Sequence, residues 1–174
     1  FVTLHVGAGT FKPVSTETIG QHIMHTEQIV LKKENIKELI EAIGKRIMCV
    51  GTTSVRTVES LYWHGVSVLK NGGKYSDIDV KQWEPYQEEC RISARESLQA
   101  ILESMEKENR NVLIGQTQLM IAPGYEYRIV DAMITNFHQP KSTLLLLVSA
   151  MIGQDWKKVY AFALENNYRF LSFG

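Results

Sequence analysis

The spacing of apolar and polar positions changes along the chain, and the changes mark out its elements. Positions 1–6 (FVTLHV) have strand-forming composition and run into Gly7-Ala8-Gly9-Thr10. Ile36, Leu39, Ile40 and Ile43 recur at i, i+3, i+4 and i+7, which predicts an amphipathic helix over 34–43 with Gly44 as a left-handed cap. The run 46–50 predicts a buried strand. Gly51-Thr52-Thr53-Ser54 then forms the turn into a second helix, whose apolar face is Val55, Val58, Leu61 and Tyr62. Ser93 and Glu96 make a capping box for a third helix over 93–109, striped by Leu98, Ile101, Leu102 and Met105. Two apolar runs, 119–122 and 127–134, flank Pro123-Gly124 and predict a hairpin or strand pair. The stretch 144–151 is apolar nearly all round and predicts a buried helix, with Ser142 and Thr143 offering hydroxyls to its free N–H groups. A last helix over 156–166 carries Tyr160 and Phe162, and Tyr168 opens a closing strand.

Strands alternating with helices predict an α/β fold, with a mainly parallel sheet or open barrel and flanking helices. Residues 1–174 read as a single α/β domain fragment. Its polar segment 70–87, turned by Asn71-Gly72-Gly73, reads as an excursion from the core, and the whole excursion extends over 70–112. The chain opens within a strand-like run and closes without a polar tail, so the expectation is part of a larger protein.

Composition narrows the function classes. The 174 residues are 44% hydrophobic and 22% charged, with 19 cationic side chains balancing 19 anionic ones. That balance is unlike the basic footprint of a protein that grips nucleic acid by counterion release. Cys49 and Cys90 are too few for a disulfide scaffold and lack metal-ligand spacing. The longest apolar run, 144–148, is far short of a bilayer span, so a cytoplasmic protein without membrane association is expected.

Candidate chemistry gathers at polar strand-to-helix turns. Asn136, His138, Lys141, Ser142 and Thr143 lie between an apolar strand and an apolar helix, where backbone donors and a positive helix end suit a polar or anionic ligand. Thr52, Thr53, Ser54 and Arg56 form a second turn of the same kind. Two such turns favour a shared crevice at the carboxyl ends of the strands. Gly7 and Gly9 permit close backbone approach. His22, His25 and Glu27 invite a metal reading, but neither a strand nor a helix brings all three together. No metal is therefore expected, and His25 coupled to Glu27 reads as part of an active-site wall.

The ordered set HVGAGTF (5–11), HIMHTE (22–27), VGTTSVR (50–56), PGY (123–125), TNFH (135–138), Pro140, STL (142–144) and YRF (168–170) resembles the S-adenosylmethionine:tRNA ribosyltransferase-isomerase family of queuosine biosynthesis. Singly each segment is weak; together, in order and spanning the chain, they are specific. The resemblance implies a two-domain enzyme whose α/β domain is interrupted by a small β-barrel domain absent from this chain. It implies transfer of the ribosyl group of S-adenosylmethionine, a substrate rather than a bound cofactor, to 7-aminomethyl-7-deazaguanine at the tRNA wobble position. The product is epoxyqueuosine, and adenine and methionine leave. His138 and His25 are then the expected proton-handling residues, with Glu27 orienting His25. Gly7, Gly9, Thr52, Thr53, Ser54, Arg56, Asn136, Ser142 and Thr143 are expected to bind substrate. Two alternatives stand beside this reading. One is an S-adenosylmethionine- or nucleotide-binding α/β domain without the activity, an inert fragment included; the other is an RNA-binding module, which needs a basic stripe with aromatics.

Overall fold

The computed structural model of the chain describes residues 3–5, 18–87 and 89–171. Gly7 and Gly9 lie outside the described residues. In chain order the elements are β1 (Thr3–His5), β2 (Glu27–Lys32), α1 (Lys33–Ala42), β3 (Met48–Val50), α2 (Thr52–Lys70), β4 (Ile78–Val80), α3 (Ala94–Lys107), β5 (Val112–Thr117), β6 (Ala132–Ile134), α4 (Thr143–Ile152) and α5 (Asp155–Glu165).

The α/β class is as expected, but the sheets are small and mixed rather than mainly parallel. One sheet runs β1-β2-β5-β4, and a separate pair joins β3 to β6. The β1–β2 and β2–β5 pairings are antiparallel, whereas β4–β5 and β3–β6 are parallel. No sheet closes into a barrel among the described residues.

Helix α2 is the centre of the packing. Its residues Val55, Leu61, Tyr62, Trp63, Val66 and Val68 are all buried, together with Arg56, Thr57, Glu59, Ser60 and His64. A helix buried on so many sides is a core helix, not a surface one. Helix α3 lies against it through Leu98, Ile101 and Met105, the stripe read from the sequence, and begins with the expected cap. Glu96 N–H donates to Ser93 Oγ at 3.2 Å, and Glu96 Oε2 accepts from Ser93 N–H at 2.9 Å. Helix α1 buries Ile36 and Ile40, and Gly44 follows it at φ +97°, the left-handed conformation that a side chain would strain.

Several sequence expectations need correction. The supposed excursion over 70–112 supplies β4, α3 and the start of β5, all joined to the core. Ile78 and Val80 are buried while Asp79 between them faces out, and this short alternation pairs β4 with β5. Gly115 lies opposite Ile78, where an added Cβ would collide with the Ile78 backbone, so the close approach of β4 requires glycine. The predicted hairpin around Pro123-Gly124 does not form. Residues 119–122 are buried but make no ladder, and 132–134 pair with β3 instead. In the run 46–50 only Cys49 is buried; Met48 and Val50 are more than half exposed, as is Ile134 beside them on β6. Helix α4 buries Thr143, Leu144, Leu147, Val148 and Ser149 and leaves Ile152 exposed, so it buries one face rather than all of them. The closing strand reduces to one bridge, Phe137 to Phe170.

These burial differences set a test. Ile78→Ala removes a buried branched chain and should cost about 2–5 kcal/mol, whereas Val50→Thr on the open face should stay within about 0.5 kcal/mol. Urea denaturation of both variants decides whether β4 belongs to the core.

Candidate active site at the carboxyl ends of β3 and β6

β3 and β6 run parallel with Val50 opposite Ile134, and Gly51 N–H donates to Ile134 O at 2.8 Å. The turns that follow, 51–56 and 135–143, therefore leave the same edge of this strand pair. Parallel pairing puts the carboxyl ends together, which is how two turns distant in sequence become neighbours.

The first turn opens α2 and joins the start of β2. Glu27 is 1% exposed, and its Oε1 collects three contacts: Arg56 Nη2 at 2.6 Å, His25 Nε2 at 3.2 Å and the Thr53 hydroxyl at 3.2 Å. Arg56 is 2% exposed, and its Nη2 also lies 3.0 Å from His25 Nε2. Burial alone would push the Glu27 carboxyl up. The hydrogen bond from His25 and the Arg56 charge outweigh it and hold the group below the usual carboxylate range. His25 Nε2 thus faces a donor and an acceptor together. Without its proton it accepts from Arg56; with it, it donates to Glu27. One proton decides between the two. Glu27 Oε2 and the Arg56 Nε and Nη1 atoms are buried with no hydrogen-bond partner among the described residues.

The second turn is held by α5. His138 N–H donates to the Tyr160 hydroxyl at 3.0 Å, and Phe137 packs edge-on against the Tyr160 ring with centroids 5.2 Å apart. His138 is buried, and its Nε2 lies 2.9 Å from the Thr135 hydroxyl while Nδ1 has no partner among the described residues. Burial lowers its pKa and so favours the neutral ring. When Nε2–H serves Thr135, Nδ1 carries a bare lone pair. Ser142 caps α4 as expected, its Oγ accepting from Leu145 N–H at 3.2 Å.

The structure therefore brings His25, Glu27, Thr53 and Arg56 into one cluster. His138, Ser142 and Thr143 sit on the neighbouring turn, where Asn136 is exposed and Thr143 buried. Thr52 is buried and Ser54 half-buried at the start of α2. Arg56, expected from sequence to bind substrate, has a carboxylate of its own in Glu27. His22 stands apart, its carbonyl accepting from Gln82 Nε2 at 2.6 Å. No group of three metal-ligating side chains is arranged to hold an ion among the described residues.

Sequence reading missed Glu59, which is fully buried. Its Oε1 accepts from Ile129 and Val130 N–H, each at 2.9 Å; its Oε2 accepts from Arg128 N–H at 3.0 Å and the Tyr125 hydroxyl at 2.7 Å. The available signal was a carboxylate one turn beyond Arg56, between Val58 and Leu61.

The chain resembles the crystal structure of an S-adenosylmethionine tRNA ribosyltransferase from Thermotoga maritima, with 33% sequence identity and a TM-score of 0.53. The match covers 85% of this chain and 38% of that protein, so the chain spans well under half the length of its relative. The family model described as queuosine biosynthesis protein matches residues 1–174, and the chain belongs to that family.

Proposed function

We propose that this chain is part of a tRNA-modifying enzyme of the cytoplasm. The enzyme moves the ribosyl group of S-adenosylmethionine onto 7-aminomethyl-7-deazaguanine at the wobble position and releases adenine and methionine. The observation that carries this reading is the family match over residues 1–174. The two turns sharing one strand edge support it, because such a transfer needs proton-handling groups and polar anchors held in one crevice.

In this reading His138 takes a proton beside the sulfonium, using the lone pair of Nδ1, and Thr135 fixes the ring by its bond to Nε2. His25 handles the second proton, with Glu27 and Arg56 setting which state of Nε2 is present. Thr52, Thr53, Ser54, Asn136, Ser142 and Thr143 serve the polar groups of the substrates, and Gly7 and Gly9 give backbone access. Arg56 acts chiefly through Glu27. It is buried against that carboxylate, so its role is to hold the charge and proton state of the cluster.

The reaction is checked by incubating the full-length protein with S-adenosylmethionine and an RNA bearing the 7-aminomethyl base. Adenine and methionine should be released in equal amounts, with the RNA gaining mass. Release of S-adenosylhomocysteine would instead identify a methyltransferase and reject the proposal.

His138→Gln separates chemistry from support. A proton-transfer role predicts a turnover loss of about 10²- to 10⁴-fold with the melting temperature nearly kept. A role confined to the turn predicts a lower melting temperature and near-normal single-turnover adenine release.

Glu27 gives a pH signature. Its folded pKa lies below the ordinary 4.5, so its contribution to stability is present above that value and drains away as pH falls through the folded pKa. Denaturation midpoints measured from pH 6 down to pH 3 should fall steeply for the native protein. They should fall less for Glu27→Gln, which starts lower because Arg56 has lost its buried partner.

A further inference from the structure

His25 lies outside the ladder that would ordinarily fix a strand residue. Pairing of β2 with β5 begins at Glu27, opposite Thr117, and residues 22–26 belong to no strand. Yet His25 Nε2 sits 3.2 Å from Glu27 Oε1 and 3.0 Å from Arg56 Nη2 at once. A backbone free to swing at this point would lose both contacts. Something other than sheet pairing holds it.

Two glutamines take that part. Gln82 Oε1 accepts from Met24 N–H at 2.9 Å, and Gln82 Nε2 donates to His22 O at 2.6 Å. One carboxamide thus offers the donor and acceptor that a neighbouring strand would offer, and each end meets its complement. Gln118 Nε2 donates to Met24 O at 3.2 Å. Both main-chain polar groups of Met24, the residue before His25, are therefore taken by side chains. The Met24 side chain is buried against Met120 and Ala122, whereas Ile23 beside it is exposed. Trp83 and Leu146 of α4 pack on the same small cluster. The segment is gripped along its backbone and seated by one side chain.

The grip is itself anchored. Gln118 N–H donates to Val80 O at 2.9 Å, and Met120 N–H donates to Gln82 O at 3.1 Å. The parallel pairing of β4 with β5 therefore carries on past both strands and delivers the two glutamines together. It does so at the end of β5 that pairs with Glu27.

We infer that Gln82 and Gln118 are positioning residues, fixing the backbone of 22–24 and through it aiming the His25 ring between Glu27 and Arg56. The inference rests on the reading above in which His25 handles a proton. Misplacing such a group by about 1 Å costs on the order of 10²-fold in rate.

The test uses the full-length protein labelled with ¹⁵N-histidine. NMR reads the imidazoles, and single-turnover adenine release is followed with S-adenosylmethionine and the 7-aminomethyl RNA. In Gln82→Leu the ring signals of His25 should move while those of His64, buried within α2, stay in place. Adenine release should fall about 10- to 100-fold. General support of the fold predicts instead that both histidines shift together, and that outcome overturns the inference. Unmoved His25 signals in a folded Gln82→Leu overturn it too, as does release at the native rate once His25 has moved. If Gln82→Leu does not fold, Gln118→Leu, which removes the bond to Met24 O, is read by the same measurements and overturned by the same outcomes. Absence of adenine release by the native protein rejects the ribosyl-transfer reading alone, because the His25 signals still decide what the glutamines hold.

Discussion

The structure depends on a buried carboxylate accepting four hydrogen bonds. Glu59 projects from the middle of α2 and takes three backbone N–H groups from residues 128–130 and the Tyr125 hydroxyl. All four partners donate and favour the ionised form, but burial outweighs them and holds the carboxyl above the usual carboxylate range. The consequence is topological. Residues 125–130 cannot pair with 119–122 as a hairpin, because three of their N–H groups are turned towards Glu59. The chain is led past α2 and delivered to β3, where Asp131 accepts from Ile47 N–H at 2.8 Å and β6 begins. The Glu59 hub and the Asp131–Ile47 bonds together lead β6 to β3, and the two turns share an edge because of it.

Helix α2 accordingly does three jobs along one face. Its first turns carry Thr53 and Arg56 to Glu27, the next carries Glu59, and the one after carries Trp63, whose Nε1–H donates to the Tyr125 hydroxyl. Ser60 donates to Arg56 O at 2.6 Å and lies 2.7 Å from the Thr117 hydroxyl, linking the helix to β5. A shift of α2 along its axis would disturb all three sites together.

What could be read from the sequence follows from what each signal measures. Periodicity reports apolar faces, so the stripes of α1 and α3, the Ser93–Glu96 box and the Ser142 cap were legible. Motif order gave the family, and the strand-to-helix turns gave the edge at which the candidate residues gather. Glu59 was not legible, because a carboxylate within a helix is ordinarily a solvated one. Arg56 was read as a substrate hand for the same reason, and its burial against Glu27 is a tertiary fact. β4 was missed because three residues, Ile78-Asp79-Val80, are too short to show a period in a polar segment. The hairpin was wrong because Pro123-Gly124 signals a turn but not which partner the following strand will choose.

The cluster at the head of α2 is built at odds with stability. A buried guanidinium is costly unless its donors are satisfied, and here one arm is satisfied while Nε and Nη1 are not. Glu27 shows the same asymmetry, three contacts crowding Oε1 and none reaching Oε2. A purely structural ion pair would more economically be bidentate, engaging both oxygens and both ends of the guanidinium. The arrangement instead leaves buried donors and a buried acceptor beside a histidine whose Nε2 faces a donor and an acceptor at once. Unsatisfied buried polar groups gather where a structure serves something other than its own stability. On that ground the His25–Glu27–Arg56 cluster, more than the better satisfied Glu59 hub, is where a polar ligand would gain most from binding.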